Sequence, residues 1–291
     1  MTRTPARLQA FYSTEMVSDS GRGASPSDHK PRDVAEALGL TSWPVELVPP
    51  QPSTLDDLCR VHDPSFVVDV LELRRASGFG TTSPSVARSL PYTCGSFYCA
   101  AVSALREGIC ASLSSGFHHA GPKGARGFCT FNGLMVATAR LLATGQARKV
   151  AIVDCDYHYG DGTQAILESL SLQEQVLHET FGLTYKRPEQ AEGYLSHMRS
   201  LRSKLAAFKP DLVLYQAGAD THVDDPLGGL LTTEQMRERD RIMFSVAREL
   251  SLPLAWNLAG GYQVEPDGTI PKVVQLHLNT FEEALKVWQL L

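Results

Sequence analysis

The chain has 291 residues, of which 43% are hydrophobic and 20% charged, a composition typical of a folded globular protein with a sizeable core. This length fits one large α/β domain as well as two small ones. A net charge of −5, with no block of like charges, gives no reason to expect a nucleic-acid partner. No apolar run approaches the roughly eighteen residues of a membrane span, so we expect no membrane partner either.

The cysteines and the N-terminus predict the cellular location. The six cysteines include no C-x-x-C pair, and buried reduced thiols in a cytosolic protein explain them best. Residues 1–5, Met-Thr-Arg-Thr-Pro, lack the apolar core of a signal peptide. We therefore expect a cytoplasmic protein, and the sequence leaves its oligomeric state open.

Taken in chain order, polar stretches with Gly, Ser and Pro predict long loops at about residues 18–32 and 76–96, and the apolar spacing between them predicts a helix over 55–75. Helices and short apolar strands then alternate: helix 132–144, strand 149–154, helices 163–170 and 195–208, strand 211–216, helix 233–250, strand 252–258 and helix 281–290. This alternation indicates an α/β fold with a parallel sheet covered on both faces. No internal repeat or domain boundary is visible, so we expect one domain over residues 1–291.

The segment 154–161 has the most distinctive side chains of the chain. It follows the apolar run 150–153 and has the sequence Asp-Cys-Asp-Tyr-His-Tyr-Gly-Asp. Because residues two apart in an extended chain project to the same side, Asp156 and His158 could bind one metal ion together, with Asp154 behind them. Asp220 follows a second apolar run, 212–215, and offers a third ligand. In a parallel sheet such groups gather beyond the carboxyl ends of the strands.

Two carboxylates and one imidazole leave positions open for water and substrate, which is the ligand pattern of catalytic rather than structural zinc. Zinc lowers the pKa of bound water to about 7 and polarises a carbonyl oxygen, and both effects help to hydrolyse an amide. Taken singly, Asp156 and Asp220 are more readily explained as helix caps, and His158 as a core histidine. Their combined occurrence at the ends of two predicted strands favours a metal site.

Two further features suggest catalytic side chains beside the predicted ligands. His118 and His119 are adjacent, and histidines near a metal usually donate one ring N–H to a carboxylate. The alternative is a surface loop with two ordinary histidines. Tyr262 follows Gly260 and Gly261, glycines that would let the backbone turn sharply beside a ligand. A phenol there could donate a hydrogen bond to a developing oxyanion, an effect worth about 10²–10³ in rate.

These residues resemble the zinc-dependent histone deacetylase family, which shares its fold with arginases and includes polyamine deacetylases and bacterial histone deacetylase-like amidohydrolases. The similar segments are Val-His-Asp-Pro at 61–64, Phe-His-His-Ala at 117–120, Gly-Phe-Cys-Thr-Phe-Asn at 127–132, residues 154–163, residues 216–220 with 225–228, and Gly-Gly-Tyr at 260–262. Each segment alone is a modest signal, but their ordered combination is highly specific. The resemblance implies a central parallel sheet of about eight strands with helices on both faces.

The resemblance also implies a role for each candidate residue. One zinc ion per chain would be bound by Asp156, His158 and Asp220. His119 would be the general base that takes a proton from zinc-bound water, and His118 would be its electrostatic partner or the acid. The carboxylates that complete the catalytic set would be Asp154, paired with His118, and Asp161, paired with His119.

Contacts with the substrate follow from the same resemblance. Tyr262 and zinc would hold the carbonyl oxygen, Gly127 and Phe128 would form one wall of an acyl-lysine channel, and Gly260 would line the site. A potassium ion near Asp154 is common in the family and is a further hypothesis. The expected substrate is an acylated primary amine, either lysine in a protein or a small polyamine.

The chain departs from the family pattern around this channel. Between residues 174 and 194, relatives usually have a longer loop with a second aromatic wall, so we expect a wider or shallower channel on that side. Phe181 or Tyr185 could replace the missing wall. We find no counterpart, around residues 78–92, of the acidic residue that grips the substrate backbone in many relatives.

Two other functions compete with a deacylase. A ureohydrolase of the same fold would bind two manganese ions, but it needs a D-x-D pair after the later strand. Here Thr221 and His222 follow Asp220, and Asp224 is four residues on, which argues against a dinuclear centre. A non-catalytic module would bind an amine or acyl compound without turnover, and the presence of every proposed catalytic side chain argues against it.

Overall fold

The computed structural model describes residues 7–21 and 25–291, so the prediction for the N-terminal residues 1–5 lies outside the described residues. Seven strands form one sheet in the order β2-β1-β3-β7-β6-β4-β5, and every neighbouring pair is parallel. The strands are β1 (Leu8–Phe11), β2 (Val45–Val48), β3 (Ile109–Ser112), β4 (Val150–Asp154), β5 (Val176–Thr180), β6 (Leu212–Gln216) and β7 (Leu254–Asn257). The predicted α/β class is confirmed, with seven strands in the described part of the chain instead of about eight.

Helices cover both faces of the sheet. They are α1 (Lys30–Gly39), α2 (Leu55–Cys59), α3 (Pro64–Leu71), α4 (Pro84–Glu107), α5 (Gly133–Ala143), α6 (Asp161–Ser169), α7 (Ala191–Phe208), α8 (Thr233–Glu249) and α9 (Pro271–Val287). The central strands are buried on both sides, and successive side chains point to opposite faces. Ala151 and Val153 therefore pack with α1, α7, α8 and α9, whereas Val150 and Ile152 pack with α2 to α6.

The register of the central strands brings their carboxyl ends to one edge of the sheet. Asp154 at the end of β4 pairs with Gln216 at the end of β6, and Gln216 pairs with Asn257 at the end of β7. Ser112 at the end of β3 also pairs with Asn257. The ends of these four strands and the segments that follow them contain all the candidate site residues, so the fold places them side by side.

The predicted helix over 55–75 is wrong in one respect, because it is two helices. α2 ends at Cys59, and α3 starts afresh at Pro64, whose ring suits the first helical position. The side chain of Asp63 accepts hydrogen bonds from the amides of Ser65 and Phe66, which caps the new helix.

The predicted loops at 18–32 and 76–96 are both partly helical, since α1 begins at Lys30 and α4 begins at Pro84. The small residues of α4 allow close packing: a Cβ on Gly95 would lie 2.1 Å from the carbonyl oxygen of Gln51. Ser96 is buried and donates to the carbonyl of Phe11. The small residues that resemble a loop in the sequence therefore lie in a helix, at positions where other segments of the chain pack closely against it.

The last helix also begins earlier than predicted. α9 starts at Pro271, and Asn279 lies within the helix, where its side-chain oxygen accepts a hydrogen bond from Arg237. The predicted start of the helix at 233 is confirmed, and Thr232 and Gln235 form a capping box at the start of α8. All six cysteines are unpaired, and four of them are buried. None of the helices in the described ranges has the length and hydropathy needed to cross a bilayer.

Candidate metal centre and active site

Three predicted ligands converge at the carboxyl ends of β4 and β6. One ligand atom each from Asp156, His158 and Asp220 lies within 4.8 Å of the other two. Nδ1 of His158 is 3.1 Å from Oδ1 of Asp156 and 2.9 Å from Oδ2 of Asp220. Both aspartates are buried, whereas the histidine is partly exposed. The described residues form one such group, and it is the group that the sequence predicts.

Backbone contacts fix this geometry locally. The amide of Asp156 donates to Oδ1 of Asp154, and the amide of His158 donates to Oδ1 of Asp156. Asp220 lies in the short 3₁₀ turn Ala219–Thr221 that follows β6. Gly218 allows the two loops to touch, because a Cβ there would lie 2.5 Å from Cα of Asp156 and 2.9 Å from Oδ1 of Asp220. A larger residue at Gly218 would force the ligand loops apart.

The electrostatics of the cluster favour a cation. Burial, together with the charge of Asp156, raises the pKa of Asp220 to about 7. Burial also acts to raise the pKa of Asp156, but His118 and His158 outweigh it and hold that pKa below its usual value. Two buried carboxylates this close repel each other, and a divalent cation would neutralise both. Two carboxylate oxygens and one imidazole nitrogen are therefore a donor set that fits such an ion.

The histidine pair lies beside the cluster, and each ring contacts a carboxylate. Nδ1 of His118 is 2.7 Å from Oδ2 of Asp154, and Nδ1 of His119 is 2.6 Å from Oδ1 of Asp161. The two imidazole centroids are 4.1 Å apart. Nε2 of His118 is 3.5 Å from Oδ1 of Asp156, so this ring also faces a predicted ligand.

The two histidines differ sharply in proton affinity. Burial lowers the pKa of His118, but the charges of Asp154 and Asp156 outweigh it and raise the pKa to about 9. Burial and the charge of His118 lower the pKa of His119 to about 3. These opposed shifts favour the protonated form of His118 and the neutral form of His119. Titratable neighbours whose pKa values are pushed apart are typical of an acid and a base at one site.

The wall beside His119 is a tight turn between Arg126 and Cys129, whose backbones exchange hydrogen bonds of 3.0 and 2.9 Å. Gly127 and Phe128, at its centre, have φ values of 54° and 63°. A Cβ on Gly127 would lie 2.5 Å from Cδ2 of His119, so only glycine fits against that ring. Phe128 is a bulky residue in the left-handed region, which is uncommon and marks local strain.

Tyr262 faces this wall, with its ring centroid 5.7 Å from that of Phe128. The glycines before it have φ values of 55° and 89°, and a Cβ on Gly260 would lie 2.3 Å from Oδ1 of Asp220. The amide of Tyr262 donates to Oδ2 of Asp225 at 2.7 Å. Burial and the charge of Asp156 raise the pKa of the phenol well above 10, so Tyr262 stays protonated as a donor.

Three residues that support the site were not predicted from the sequence to have a role in it. Arg126 donates to Oδ2 of Asp161, the partner of His119. Lys30 is 0% exposed and donates through Nζ to the carbonyl of Gly260. His62 belongs to a family-like segment, but the sequence alone does not reveal its contacts. Each partner lies more than thirty residues away along the chain, so no local pattern indicates these contacts.

His62 ties together two parts of the long connection between β3 and α5, which bears the histidine pair and Phe128. Its Nδ1 is 2.9 Å from the carbonyl oxygen of Gly121, and its Nε2 accepts a hydrogen bond of 2.9 Å from the amide of Asn132. We expect His62→Leu to lower the free energy of unfolding by about 1–3 kcal/mol, because both backbone groups lose their partner. Urea denaturation at pH 7 measures the loss. His29→Leu, at the partly exposed start of α1, should change stability by about 0.5 kcal/mol or less.

At acidic pH, the difference in the free energy of unfolding between wild type and His62→Leu should become smaller. Burial lowers the pKa of His62 to about 4, whereas a histidine in an unfolded chain titrates near about 6.5. As pH falls through this window, the unfolded wild-type chain binds the proton first, so the folded state loses stability by up to about 1.4 kcal/mol per pH unit. The leucine variant lacks this titration. An equal gap at pH 7 and pH 4.5 would contradict the assignment.

The structure does not provide a second aromatic wall from the predicted candidates. Phe181 is buried, and its ring centroid is 4.7 Å from that of Tyr194 on α7. The hydroxyl of Tyr185 is 3.3 Å from Nδ1 of His197, also on α7. Both rings therefore pack against α7. Among the residues that the structure describes, the cluster also lacks the further carboxylate that a dinuclear centre would require, and the Asp224 side chain is 65% exposed.

The fold and the site together define an α/β protein with a candidate mononuclear metal centre beside a histidine pair and a tyrosine. Comparison with known families gives the same answer, since the family model of the histone deacetylase domain matches residues 29–181 and 171–280. The chain belongs to the histone deacetylase family. The recognition made from the sequence motifs is confirmed.

Individual relatives differ in name and in coverage. An uncharacterized protein of Picosynechococcus sp. is 32% identical over 69% of this chain and 74% of its own length. Acetylpolyamine amidohydrolase 1 of Pseudomonas aeruginosa is 31% identical over 52% of this chain, and the match spans 50% of that protein. Histone deacetylase 10, chloroplastic, of Oryza sativa is 28% identical over 88% of this chain and 70% of its own length.

The fold also matches a solved structure. A crystal structure of the HDA15 HD domain superimposes with a TM-score of 0.76, covering 97% of this chain and 89% of that one at 20% identity. At this identity the match supports the deacetylase-like fold and nothing finer.

Proposed function

We propose that the chain is a zinc-dependent deacylase, a single catalytic domain that hydrolyses the amide between an acyl group and a primary amine. The observation that supports this most is the convergence of Asp156, His158 and Asp220 beside a histidine pair with opposed proton affinities. The substrate would be acyl-lysine in a protein or an acylated polyamine. We propose further that the enzyme is cytoplasmic and has neither a nucleic-acid nor a membrane partner.

In the proposed mechanism the metal ion would activate water and the carbonyl group, and side chains of the protein would transfer the protons. Asp156, His158 and Asp220 would bind one zinc ion, which would lower the pKa of a bound water to about 7 and polarise the substrate carbonyl. Burial favours the neutral form of His119, so its ring would accept the proton of the attacking water, a contribution of about 10²–10⁴ in rate. Asp161 orients its ring from the opposite nitrogen.

The other polar groups of the site would protonate the leaving amine and stabilise the oxyanion. Protonated His118 lies next to His119 and can deliver a proton to the leaving amine, with Asp154 stabilising its positive charge. The hydroxyl of Tyr262 donates to the oxyanion that forms on the carbonyl oxygen. Phe128 and Gly127 form the wall on the His119 side, and Gly260 lines the site next to Asp220.

A potassium ion near Asp154 is a further part of the proposal. Oδ2 of Asp154 already contacts His118, and Oδ1 accepts from Gln216 and from the amide of Asp156. Backbone carbonyls of the surrounding loops would therefore supply most of the ligands for such an ion. Carbonyl oxygens suit a hard cation of this kind.

An acyl-length panel tests the function directly. Purified protein, stripped of metal and then reloaded with zinc, is assayed on lysine peptides with acyl chains from acetyl to myristoyl and on acetylated polyamines. We expect zinc-dependent release of the acyl group from at least one substrate class and inhibition by a hydroxamate. Binding of these compounds without turnover would support a non-catalytic module, and two manganese ions per chain would support a dinuclear hydrolase.

Gly127→Ala should separate the placement of His119 from general stability. The added methyl group would lie 2.5 Å from Cδ2 of His119, and a shift of about 1 Å in a catalytic group can cost about 10²-fold in rate. Steady-state kinetics on the best substrate measures the effect. Gly145→Ala is the matched control, because Gly145 also has positive φ but nothing within 4 Å of its would-be Cβ. Equal activity losses in the two variants would contradict the specific contact with His119.

A further inference from the structure

The short segment after β5 crosses the loop that bears two of the predicted zinc ligands. The amide of Phe181 donates to the carbonyl of Asp154 at 3.1 Å. Gly182 lies directly against the next turn, since a Cβ there would be 2.2 Å from the carbonyl carbon of His158. The segment 181–186, called here the brace, thus contacts the ligand loop at two backbone positions.

A third and closer contact joins Lys186 of the brace to Tyr157. Nζ of Lys186 donates to the carbonyl oxygen of Tyr157 at 2.7 Å and lies 4.2 Å from the centroid of its ring. The hydroxyl of Tyr157 donates back to the carbonyl oxygen of Lys186 at 3.0 Å. The two residues therefore hold each other through two hydrogen bonds and a cation–π contact.

Tyr157 is the residue between two predicted ligands, Asp156 and His158. Its amide donates to Oδ1 of the third ligand, Asp220, at 3.2 Å. Its carbonyl accepts from Lys186. The N–H of this residue is thus fixed by a ligand carboxylate and its carbonyl by the brace, so neither of the peptide groups next to it can rotate freely.

The brace is itself anchored to α7. The amides of Lys186 and Arg187 both donate to Oε1 of Gln190, at 2.7 and 3.0 Å. Nε2 of Gln190 donates to the carbonyl of Thr184 at 3.2 Å. Gln190 immediately precedes α7, so the ligand loop is connected to a long, packed helix through Lys186.

We propose that Lys186 is a positioning residue for the metal centre, which tightens zinc binding by holding the Tyr157 peptide between Asp156 and His158. This inference rests on the proposed zinc site. Partners behind metal ligands typically contribute about 10–100-fold to metal affinity. The direction of the change in zinc affinity distinguishes two roles for Lys186. A positive charge that acts on a nearby cation through space alone weakens the binding of that cation. A positioning role and a purely electrostatic role therefore predict opposite effects when Lys186 is neutralised.

The test measures zinc affinity of the full-length protein by competition with a chelator, without any reference to turnover. We expect Lys186→Met to weaken zinc binding about tenfold. Lys186→Arg keeps the charge and a donor and should recover most of the affinity. Tyr157→Phe removes only the hydrogen bond to the carbonyl of Lys186 and should have a smaller effect. Lys286→Met is the control, because Lys286 pairs with Glu282 on α9.

Thermal melting of the metal-free variants checks that the chain still folds, which we expect because the Lys186 side chain is exposed. Unchanged or tighter zinc binding in Lys186→Met would overturn the positioning role, and so would a loss that Lys186→Arg fails to recover. A wild-type protein that binds no zinc would overturn the proposed function itself. A wild type that binds zinc alongside unaffected variants would overturn only the role of Lys186.

Discussion

Asp220→Asn is expected to weaken zinc binding by more than about 10²-fold, beyond what loss of an outer partner typically costs, and to abolish deacylase activity in parallel. The reason is the geometry of the cluster. Asp220 contributes one of two buried carboxylates, and its Oδ2 lies 2.9 Å from Nδ1 of His158. The amide that replaces it has no charge to neutralise a divalent cation. Metal analysis and chelator competition on the purified variant measure the loss.

Asp224→Asn is the matched control for this experiment. Asp224 lies four residues further on, but its side chain is 65% exposed and outside the cluster. We expect wild-type zinc affinity and wild-type turnover in this variant. A full complement of tightly bound zinc in Asp220→Asn would show that the metal binds elsewhere, and the proposed chemistry would then fail.

Tyr262→Phe should reduce kcat by about 10²–10³ while zinc content stays at one ion per chain. The hydroxyl is the proposed donor to the oxyanion, and within residues 7–21 and 25–291 it makes no hydrogen bond of its own. The contact with Asp225 comes from the backbone amide of Tyr262, which the substitution keeps. An interaction made mainly in the transition state lowers kcat and kcat/KM together. We therefore expect little change in KM.

The control for the tyrosine is Tyr98→Phe. The hydroxyl of Tyr98, on α4, accepts a hydrogen bond from Gln146, and neither residue belongs to the metal cluster. Its loss should leave the kinetics unchanged. A Tyr262→Phe variant as fast as the parent would remove Tyr262 from the mechanism, whereas simultaneous loss of zinc would show that the residue acts through the metal site.

The sequence predicts the central sheet well because the signal is local. The predicted strands 149–154 and 211–216 are confirmed to within one residue as β4 and β6, since strands buried on both faces are continuous apolar runs. The start of α4 could not be predicted in this way. Gly95 and Ser96 resemble loop residues, but they serve to let Gln51 and Phe11 approach the helix. Such a contact depends on where the rest of the chain lies.

In the candidate site too, residues with a local sequence signal could be predicted, and residues held by distant contacts could not. Asp156, His158 and Asp220 could be found because each directly follows a recognisable strand, and the strand ends of a parallel sheet meet. The hydrogen bond from Lys30 to Gly260 joins residues 230 apart in sequence. No pattern around Lys30 distinguishes it from an ordinary surface lysine. Supports of this kind depend on tertiary packing and become visible only in the folded chain.

The backbone at Phe128 has a consequence for how the protein would respond to selection for stability. A bulky residue held at a φ of 63° typically costs of order 1–3 kcal/mol, which glycine at the same position would largely recover. Phe128→Gly should therefore relieve this strain while removing the ring that contacts Phe79 and Tyr262. Backbone stability and the aromatic wall of the proposed channel are therefore in competition at this one position.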